Sequence, residues 1–245
     1  MGQKKKAVLI TGATKRLGLA LTKQSLDMGF SVIAHYRTSA APLKSWLTKH
    51  PRFSDRIYFL QADLAEKPES LIDTCSDFPA ALTGLVNNAS QFTEGNLDNL
   101  NHLRNLMAIN AVAPLLIARR FSQKVGKGWI INITDADISL NKKFQNYRLS
   151  KRILTELTCQ MAFLYAPGIR VNAIAPGAIL PPIHADRSHF NRLKSTLPLR
   201  KTGDTKAIQQ AYSFLVENNS ITGQILSVDN GHHLINDNTF LQWPV

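Results

Sequence analysis

KAVLITGATKRLG, residues 6–18, is the stretch of sequence that decides the fold. Its first half is a short apolar run with β-branched residues, which predicts a buried strand. Its second half opens a helical pattern over 16–29. Between the two, Gly12 permits a tight turn and Gly18 permits close packing of the helix on the sheet. Because backbone N–H groups at the start of a helix favour an anion, the stretch predicts a strand, an anion-binding turn and a helix.

Strand and helix patterns alternate along the rest of the chain. The predicted strands are 6–11, 31–36, 56–61, 82–89, 128–134, 169–174 and 223–228. The predicted helices are 16–29, 41–50, 66–76, 99–123, 145–166 and 204–217. This alternation indicates a parallel sheet with helices on both faces. With no repeat, low-complexity linker or composition break, residues 1–245 are predicted to form one α/β domain, a doubly wound sheet of the Rossmann type.

The composition excludes several classes of protein. No apolar run reaches the roughly 18 residues that a membrane span needs, and the N-terminus lacks a signal peptide's apolar core and cleavage site. The two cysteines, Cys75 and Cys159, give no disulfide framework and no metal-ligand cluster, which fits a reducing cytoplasm. The net charge of +12 is spread along the chain without a nucleic-acid motif, so a solvated basic surface is expected rather than a nucleic-acid or membrane partner.

Donors rather than an acid follow the second predicted strand. Dinucleotide folds that use NAD place an acidic residue near this point for the ribose hydroxyls. Here the segment reads HYRTS (35–39), and the nearest acids are Asp27 and Asp55. Lys15 and Arg16 add positive charge from the first turn. This set of donors suits a 2′-phosphate and favours NADPH over NADH.

A further acid, Asp63, follows the third predicted strand in ADL (62–64). A carboxylate there can accept a hydrogen bond from the amino group of adenine. It can equally cap the start of a helix. The residues alone leave both roles open.

Tyr147 and Lys151 lie four positions apart in NYRLSK (146–151), on a predicted helix. Residues at i and i+4 share one face of a helix. An ammonium beside a phenol favours the phenolate and lowers the pKa of the phenol, which suits a general acid. The pair stands about one strand–helix unit after NNA (87–89), and this placement makes the pattern far more specific than its spacing alone.

The fifth predicted strand ends in two acids, Asp135 and Asp137, within IINITDADIS (130–139). An ionised carboxylate resists leaving water, so acids directly after a buried strand indicate a task other than packing. Asp135 is the candidate for chemistry. Asp137 is expected to cap a loop or to face solvent.

Together TGATKRLG, NNAS, Asn110, YRLSK and APGAI resemble the short-chain dehydrogenase/reductase family, over nearly the whole chain. DNGHHL (229–234) is similar to the family's closing Asp-Gly-Gly segment. Within the family, HYRTS, NNASQF and IINITDA are most similar to pteridine reductases and dihydromonapterin reductases. The resemblance implies an NADPH-dependent enzyme that reduces a dihydropterin, such as dihydromonapterin, dihydrobiopterin or dihydrofolate, to its tetrahydro form.

The resemblance also implies roles for individual residues. Asp135, Tyr147, Lys151 and Asn110 would be catalytic, with Asn110 holding a water that links Lys151 to solvent. Arg16, Ser90, Phe92, Asp135 and Tyr147 would contact the substrate, Phe92 by stacking on the pterin. The implied cofactor residues are Gly12, Lys15, Arg16, Leu17, Gly18, His35, Tyr36, Arg37, Thr38, Ser39, Asp63, Leu64, Asn88, Ala89, Ser90, Ile133, Tyr147, Lys151, Pro176, Gly177 and Ile179.

The sequence leaves open which residue takes the place of the family's serine at the end of the fifth strand. The family normally has a serine near this strand's end, where the pteridine reductases have Asp. The loop between Asp135 and Tyr147 is a residue shorter than usual, so Thr134 can occupy the serine-like position instead. The flanking IIN and DA favour Asp135.

Two other functions are compatible with the sequence. The first is a reductase of a carbonyl substrate, such as a 3-oxoacyl thioester; Asp135 in place of serine argues against it. The second is a nucleotide-binding protein without catalysis, against which the intact Tyr147, Lys151 and Asn110 argue.

The resemblance further implies a substrate lid at about 178–203, with His184, Arg187 and His189 as candidate contacts. It also implies a homotetramer or homodimer formed through helices 99–123 and 145–166. No metal site is predicted.

Overall fold

A seven-stranded sheet, parallel throughout, forms the centre of the computed structural model, which describes residues 5–136, 143–178 and 194–236. The strands are β1 (Lys5–Ile10), β2 (Ser31–Tyr36), β3 (Ile57–Gln61), β4 (Ala80–Asn87), β5 (Gly128–Ile133), β6 (Ile169–Pro176) and β7 (Ile225–Val228). Their order across the sheet is β3-β2-β1-β4-β5-β6-β7. The predicted α/β class with a parallel, doubly wound sheet is confirmed.

Helices cover both faces of this sheet. Those in the described ranges are α1 (Arg16–Asp27), α2 (Ala41–Thr48), α3 (Ser70–Thr74), α4 (Leu100–Met107), α5 (Ala113–Val125), α6 (Gln145–Leu164), α7 (Thr205–Glu217) and α8 (His232–Asn236). Short 3₁₀ turns cover Pro51–Arg56 and Cys75–Asp77. No helix in the described ranges combines the length and apolar character needed to cross a bilayer.

Two of the predicted helices differ in the structure. The helix expected over 99–123 is divided into α4 and α5 by a π-helical turn, Ala108–Val112, because Pro114 has no N–H to give to the carbonyl of Asn110. The helix expected over 66–76 shrinks to α3. Lys67, with φ +44°, precedes Pro68, and a residue before proline is driven out of the helical region.

Alternate residues of β1 pack into two separate cores, which is why the strand reads as a continuous apolar run. Val8 and Ile10 face α1 and α7 and pack in the same core as Tyr212. Leu9 faces α5 and α6 and packs in the same core as Phe121. All five are fully buried, and each aliphatic side chain contributes about 1.5–3 kcal/mol of burial free energy.

The carboxyl ends of the strands meet at one edge of the sheet. β1 lies between β2 and β4, so the order of the strands reverses direction at β1, and a crevice opens beyond its end. The turn after β1 and the loops after β2, β4, β5 and β6 all reach this edge. Asp137 and Ile179, together with the lid candidates His184, Arg187 and His189, lie outside the described residues.

Candidate active site

The turn after β1 is built for close approach of a ligand to the backbone. Gly12 has φ +63°, and a Cβ on Gly18 would lie 2.0 Å from the Gly12 oxygen, so only glycine fits at position 18. No side chain caps the start of α1, and no acid lies in its first turn. Arg16, the first residue of α1, has φ +50°, a conformation that is uncommon for residues other than glycine. The predicted anion-binding turn therefore has the backbone geometry for that task.

Thr11 ties this turn to the loop after β4. Its Oγ1 accepts hydrogen bonds from the backbone N–H groups of Asn88 and Ala89, both at 3.0 Å. The Asn88 side-chain amide donates to the Thr11 oxygen at 2.8 Å and to the Gly12 oxygen at 3.1 Å. The NNA segment thus supports the turn through its own polar groups, and Asn88 and Ala89, two residues of the implied cofactor set, lie beside the turn.

His35 has a different place from the one expected. It is 2% exposed; its Nδ1 accepts from the Gly12 N–H at 3.2 Å, and its Nε2 donates to the Ala62 oxygen at 3.1 Å. Burial lowers the pKa of His35 below its usual value, against the opposing effects of the Ala62 carbonyl and the Asp63 charge. With both nitrogens engaged, His35 supports the turn from behind and is not available as a donor to a cofactor phosphate.

Positive charge gathers in front of the same turn. Lys15 and Arg16 are exposed after β1, and Arg37 is exposed after β2 together with Thr38 and Ser39. Two hydrogen bonds join these loops: Ala13 N donates to the His35 oxygen at 2.9 Å, and Thr14 Oγ1 donates to the Ser39 oxygen at 2.9 Å. The cations therefore stand on loops held in a fixed relation to the turn.

Three further residues of the implied cofactor set lie at or just beyond the ends of β2 and β3, and Asp63 is the one expected to contact the adenine. Tyr36 is half-buried and meets Phe59 edge to face at 6.4 Å. Leu64 is buried. Asp63 is exposed, and its Oδ1 accepts from the Ala65 N–H at 3.0 Å. This carboxylate caps a turn rather than an α-helix, because α3 begins only at Ser70.

A short hydrogen bond joins the two groups proposed for proton transfer. The Tyr147 hydroxyl donates to Asp135 Oδ2 at 2.6 Å. Tyr147 is buried at the start of α6, and Asp135 is half-buried just beyond β5. The neighbouring Thr134 hydroxyl turns away and donates to the Ile174 oxygen at 3.2 Å. Of the two residues that the sequence left open, Asp135 is the one that contacts Tyr147.

Lys151 lies one turn along α6 and is buried at 2% exposure. Its Nζ donates to the Ile133 oxygen at 2.8 Å and lies 5.9 Å from the centre of the Tyr147 ring. Burial lowers the pKa of Lys151 to about 8, and the negative charge of Asp135 opposes this shift. An ammonium with this pKa gains and loses its proton near physiological pH.

Asn110 lies in the π-helical turn between α4 and α5, and it is fully buried. Its Oδ1 accepts from the Gln91 N–H at 2.8 Å and from the Ser90 hydroxyl at 3.2 Å, and its Nδ2 donates to the Gln91 oxygen at 2.9 Å. The same Nδ2 donates to Ser150 Oγ at 3.0 Å. The Ser150 hydroxyl in turn donates to the backbone carbonyl oxygen of Tyr147 at 2.6 Å. These contacts hold the loop after β4 against α6, so Asn110 fixes the loop and the helix that carry Ser90 and Tyr147 in relation to each other.

An aromatic wall faces Tyr147. Phe92 is 54% exposed, stacks on Phe144 with ring centres 4.6 Å apart, and meets Tyr147 edge to face at 4.7 Å. Phe92 was identified from the sequence, but Phe144 was missed. Its position just before α6, three residues from Tyr147, could have indicated that Phe144 lies at the site. Two parallel rings beside a reactive phenol favour a flat ligand.

The β6 end of the site rests on the closing segment of the chain. A Cβ on Gly177 would lie 2.6 Å from the Asp229 Cβ, so glycine allows the two segments to touch. The Asp229 carboxylate accepts from the N–H groups of Gly231 and His233, which lowers the pKa of Asp229 despite its burial. Pro176 and Gly177 thereby reach the edge of the sheet where Ile133 ends β5. In the described ranges no group of three His, Cys, Asp or Glu residues is placed to hold a metal ion.

Comparison with known proteins places this geometry in context. A family model described as short chain dehydrogenase matches residues 6–192. The crystal structure of FolM alternative dihydrofolate reductase 1 from Brucella suis, in complex with NADP, is 32% identical, with a TM-score of 0.87 over 93% of this chain and 95% of that one. Pteridine reductase 1 of Leishmania tarentolae is 26% identical over 92% of this chain and 96% of its own length. Glucose 1-dehydrogenase of Gluconobacter oxydans is 29% identical over 95% and 93%, respectively.

These relatives share one fold but act on different molecules by name, so similarity alone does not select a substrate. The matched segment contains the glycine turn, Asp135, Tyr147 and Lys151. It covers well over half of the chain, and the relatives extend the match over nearly all of it. The resemblance found in the motifs is therefore confirmed, and the chain belongs to the short-chain dehydrogenase family.

Proposed function

We propose that this chain is an NADPH-dependent reductase that converts a dihydropterin to its tetrahydro form. The observation that carries the proposal is the 2.6 Å hydrogen bond from the Tyr147 hydroxyl to Asp135 Oδ2. Reducing a C=N bond requires a hydride at carbon and a proton at nitrogen. A carboxyl that shares a proton with a phenol is suited to the second requirement, whereas a carbonyl acceptor needs a single hydroxyl donor.

The residues at the end of β1 and β2 fit an NADPH cofactor. The close packing of Gly18 on the Gly12 oxygen keeps the turn tight at the start of α1, where backbone N–H groups favour a phosphate. Lys15, Arg16 and Arg37 supply cations, and no acid lies between Asp27 and Asp55 to bind ribose hydroxyls in their place. Bound there, the nicotinamide would supply the hydride. Lys15, Arg37, Thr38 and Ser39 would hold the 2′-phosphate.

Within this site each polar group has a distinct task. Asp135 and Tyr147 hold the proton that goes to the ring nitrogen. The Lys151 ammonium stabilises negative charge that develops on the phenol when the proton leaves. Asn110 keeps the Ser90–Gln91 loop against α6, so that Ser90 is placed to contact the ligand. Arg16, at the start of α1, would contact the ligand from the cofactor side.

The aromatic wall selects the shape of the substrate. A flat heterocycle against Phe92 gains about 0.5–1.5 kcal/mol beyond its burial. The phenol of Tyr147 lies at the edge of this wall, so a ring stacked there presents its edge to the proton donor. A linear acyl chain has no comparable use for an aromatic face.

The named relatives support the same substrate class. One solved structure at 32% identity is an alternative dihydrofolate reductase with NADP, and pteridine reductase 1 is a relative over nearly the whole chain. Dihydromonapterin, dihydrobiopterin and dihydrofolate are the candidates. We further propose that the enzyme acts in the cytoplasm as a homotetramer or homodimer.

The test is an assay of purified protein with NADPH and a panel of dihydropterins beside a 3-oxoacyl thioester. Products are separated by chromatography, because dihydropterins and the nicotinamide absorb in the same region. We expect tetrahydropterin formation with wild type and none above background with Tyr147→Phe, which keeps the ring but removes the hydroxyl. Reduction of the thioester without reduction of any dihydropterin would reject the proposed substrate class.

A further inference from the structure

A histidine on α4 joins the two segments that carry the aromatic wall and the phenol. His102 Nδ1 lies 2.9 Å from the Asn146 side-chain nitrogen, and its Nε2 lies 2.9 Å from Thr93 Oγ1. Thr93 follows Phe92 directly, and Asn146 precedes Tyr147 directly. The imidazole therefore spans from the loop after β4 to the first turn of α6.

The backbone beneath the ring reinforces this connection. Gly95 N donates to the Lys143 oxygen at 2.7 Å, Asn146 N donates to the Gly95 oxygen at 3.4 Å, and Gly95 pairs with Phe144 in a parallel bridge. A Cβ on Gly95 would lie 2.2 Å from His102 Nδ1, so the ring packs directly on bare backbone. The loop and the start of α6 are thus held together by a compact set of contacts centred on His102.

The direction of each hydrogen bond to the ring follows from its partner. Because Asn146 donates to Nδ1, that nitrogen carries no hydrogen, and Nε2 carries the hydrogen that it gives to Thr93. Asn146 is fully buried, and its Oδ1 has no hydrogen-bond partner among the described residues. Among the described residues, the contact with His102 is therefore the hydrogen bond that orients the Asn146 side-chain amide.

We propose that His102 is a positioning residue for the reduction: it fixes how Phe92 packs against Tyr147, whose rings meet edge to face at 4.7 Å, and hence the surface on which the flat ring lies. This inference rests on the proposed function. Neither ring nitrogen contacts the reacting groups, so the effect passes through Thr93 and Asn146. A small misplacement of either aromatic residue would lower the rate of the chemical step, because catalysis depends on alignment.

Three substitutions separate the two contacts. His102→Phe keeps a ring but removes both hydrogen bonds. His102→Asn places a polar atom where Nδ1 stood and retains the contact with Asn146. His102→Gln places one where Nε2 stood and retains the contact with Thr93. The control is His50→Phe. His50 is also a half-buried histidine, and its Nδ1 hydrogen-bonds the backbone oxygen of Trp46, but it lies far from His102 in the sequence.

We expect His102→Phe to lower kcat/KM for the dihydropterin by about tenfold or more, with the Kd for NADPH within about twofold of wild type. His102→Asn and His102→Gln should each recover part of the loss, and His50→Phe should show none. Wild-type kcat/KM in His102→Phe would overturn the proposal. A parallel loss of NADPH binding would overturn it as well, because the role would then be general stability.

The exposed Thr93 provides a second test, in which the single variant leaves His102 itself unchanged. Thr93→Val should reproduce part of the loss and should add nothing to His102→Phe, since both remove the same contact. Full additivity would contradict the connection through His102.

Hydrogen exchange separates this inference from the proposed function. If wild type reduces no dihydropterin, the proposed function fails, but His102→Phe should still speed the exchange of the Gly95 and Asn146 amides relative to wild type, with NADPH binding unchanged. Unchanged exchange of these amides would overturn the inference even in an active enzyme.

Discussion

Replacing Asp135 with asparagine keeps the shape of the side chain but removes a carboxyl that can hold and release a proton. In the folded chain, Asp135 Oδ2 accepts from the Tyr147 hydroxyl at 2.6 Å, a distance typical of a charge-assisted bond. Asparagine can still accept that bond through its oxygen. The packing around Tyr147 should therefore persist while the proton relay is lost.

The size of the effect follows from the task assigned to the carboxyl. Positioned acid–base groups contribute about 10²–10⁴ to the rate, equivalent to about 2.7–5.5 kcal/mol of activation free energy. We expect Asp135→Asn to lower kcat for dihydropterin reduction by that factor. Because Asp135 lies beyond β5, away from the turn after β1, the Kd for NADPH should stay within about twofold of wild type.

Thr134→Val is the matched control, since it changes the adjacent residue that the sequence left as an alternative. Its hydroxyl donates to the Ile174 oxygen inside the sheet, so its loss should reduce the free energy of unfolding by about 1 kcal/mol and leave kcat nearly unchanged. The assay is steady-state turnover with chromatographic detection of tetrahydropterin, beside thermal unfolding. If Thr134→Val abolished turnover while Asp135→Asn retained it, the assignment of the proton donor would be refuted.

Three further predictions concern the charge of Lys151 and the cofactor turn. Burial lowers the pKa of Lys151 from 10.5 to about 8, so the ammonium is lost and turnover should fall as pH rises through about 8. The folded state should gain stability between about pH 8 and 10.5, because the unfolded chain binds more protons than the folded chain in that range. A pH–rate profile that stays flat to pH 10 would contradict the role of the ammonium. Arg37→Ala should raise the Kd for NADPH about tenfold by fluorescence titration and leave the Kd for NADH unchanged; equal affinities of wild type for the two cofactors would reject the phosphate pocket. His35→Leu should weaken NADPH binding by several-fold, and His35→Asn, whose Oδ1 can accept from the Gly12 N–H as Nδ1 does, should restore most of it; equal losses in both variants would show that this hydrogen bond is unimportant.

Much of the fold could be predicted from local sequence patterns. The strand–turn–helix stretch around Gly12 and Gly18 predicted both the crossover and the glycine contact, because tight turns constrain residue type strongly. The helix over 99–123 was predicted as continuous, because apolar spacing does not register the missing N–H of Pro114. The π-helical turn that this creates is what aims Asn110 at the loop after β4.

Site residues could be predicted from the sequence only where the residues that act together are also close together in the sequence. Tyr147 and Lys151 lie one helical turn apart, so their spacing was visible in the sequence. The roles of His35 and His102 were not, because each depends on a partner brought near by tertiary folding: His35 meets Gly12 from the neighbouring strand, and His102 meets Asn146 from another helix. Whether Thr134 or Asp135 faces Tyr147 likewise depends on how the loop leaves β5, which residue types alone do not determine.

A crystal structure of the ternary complex with NADP and a dihydropterin would examine the mechanism at its reacting atoms. We expect a pterin lying against Phe92, with a ring nitrogen within hydrogen-bond distance of the Tyr147 hydroxyl and the Asp135 carboxyl still joined to that hydroxyl. A pterin bound elsewhere, or Asp135 rotated into solvent with Tyr147 alone touching the ligand, would contradict it.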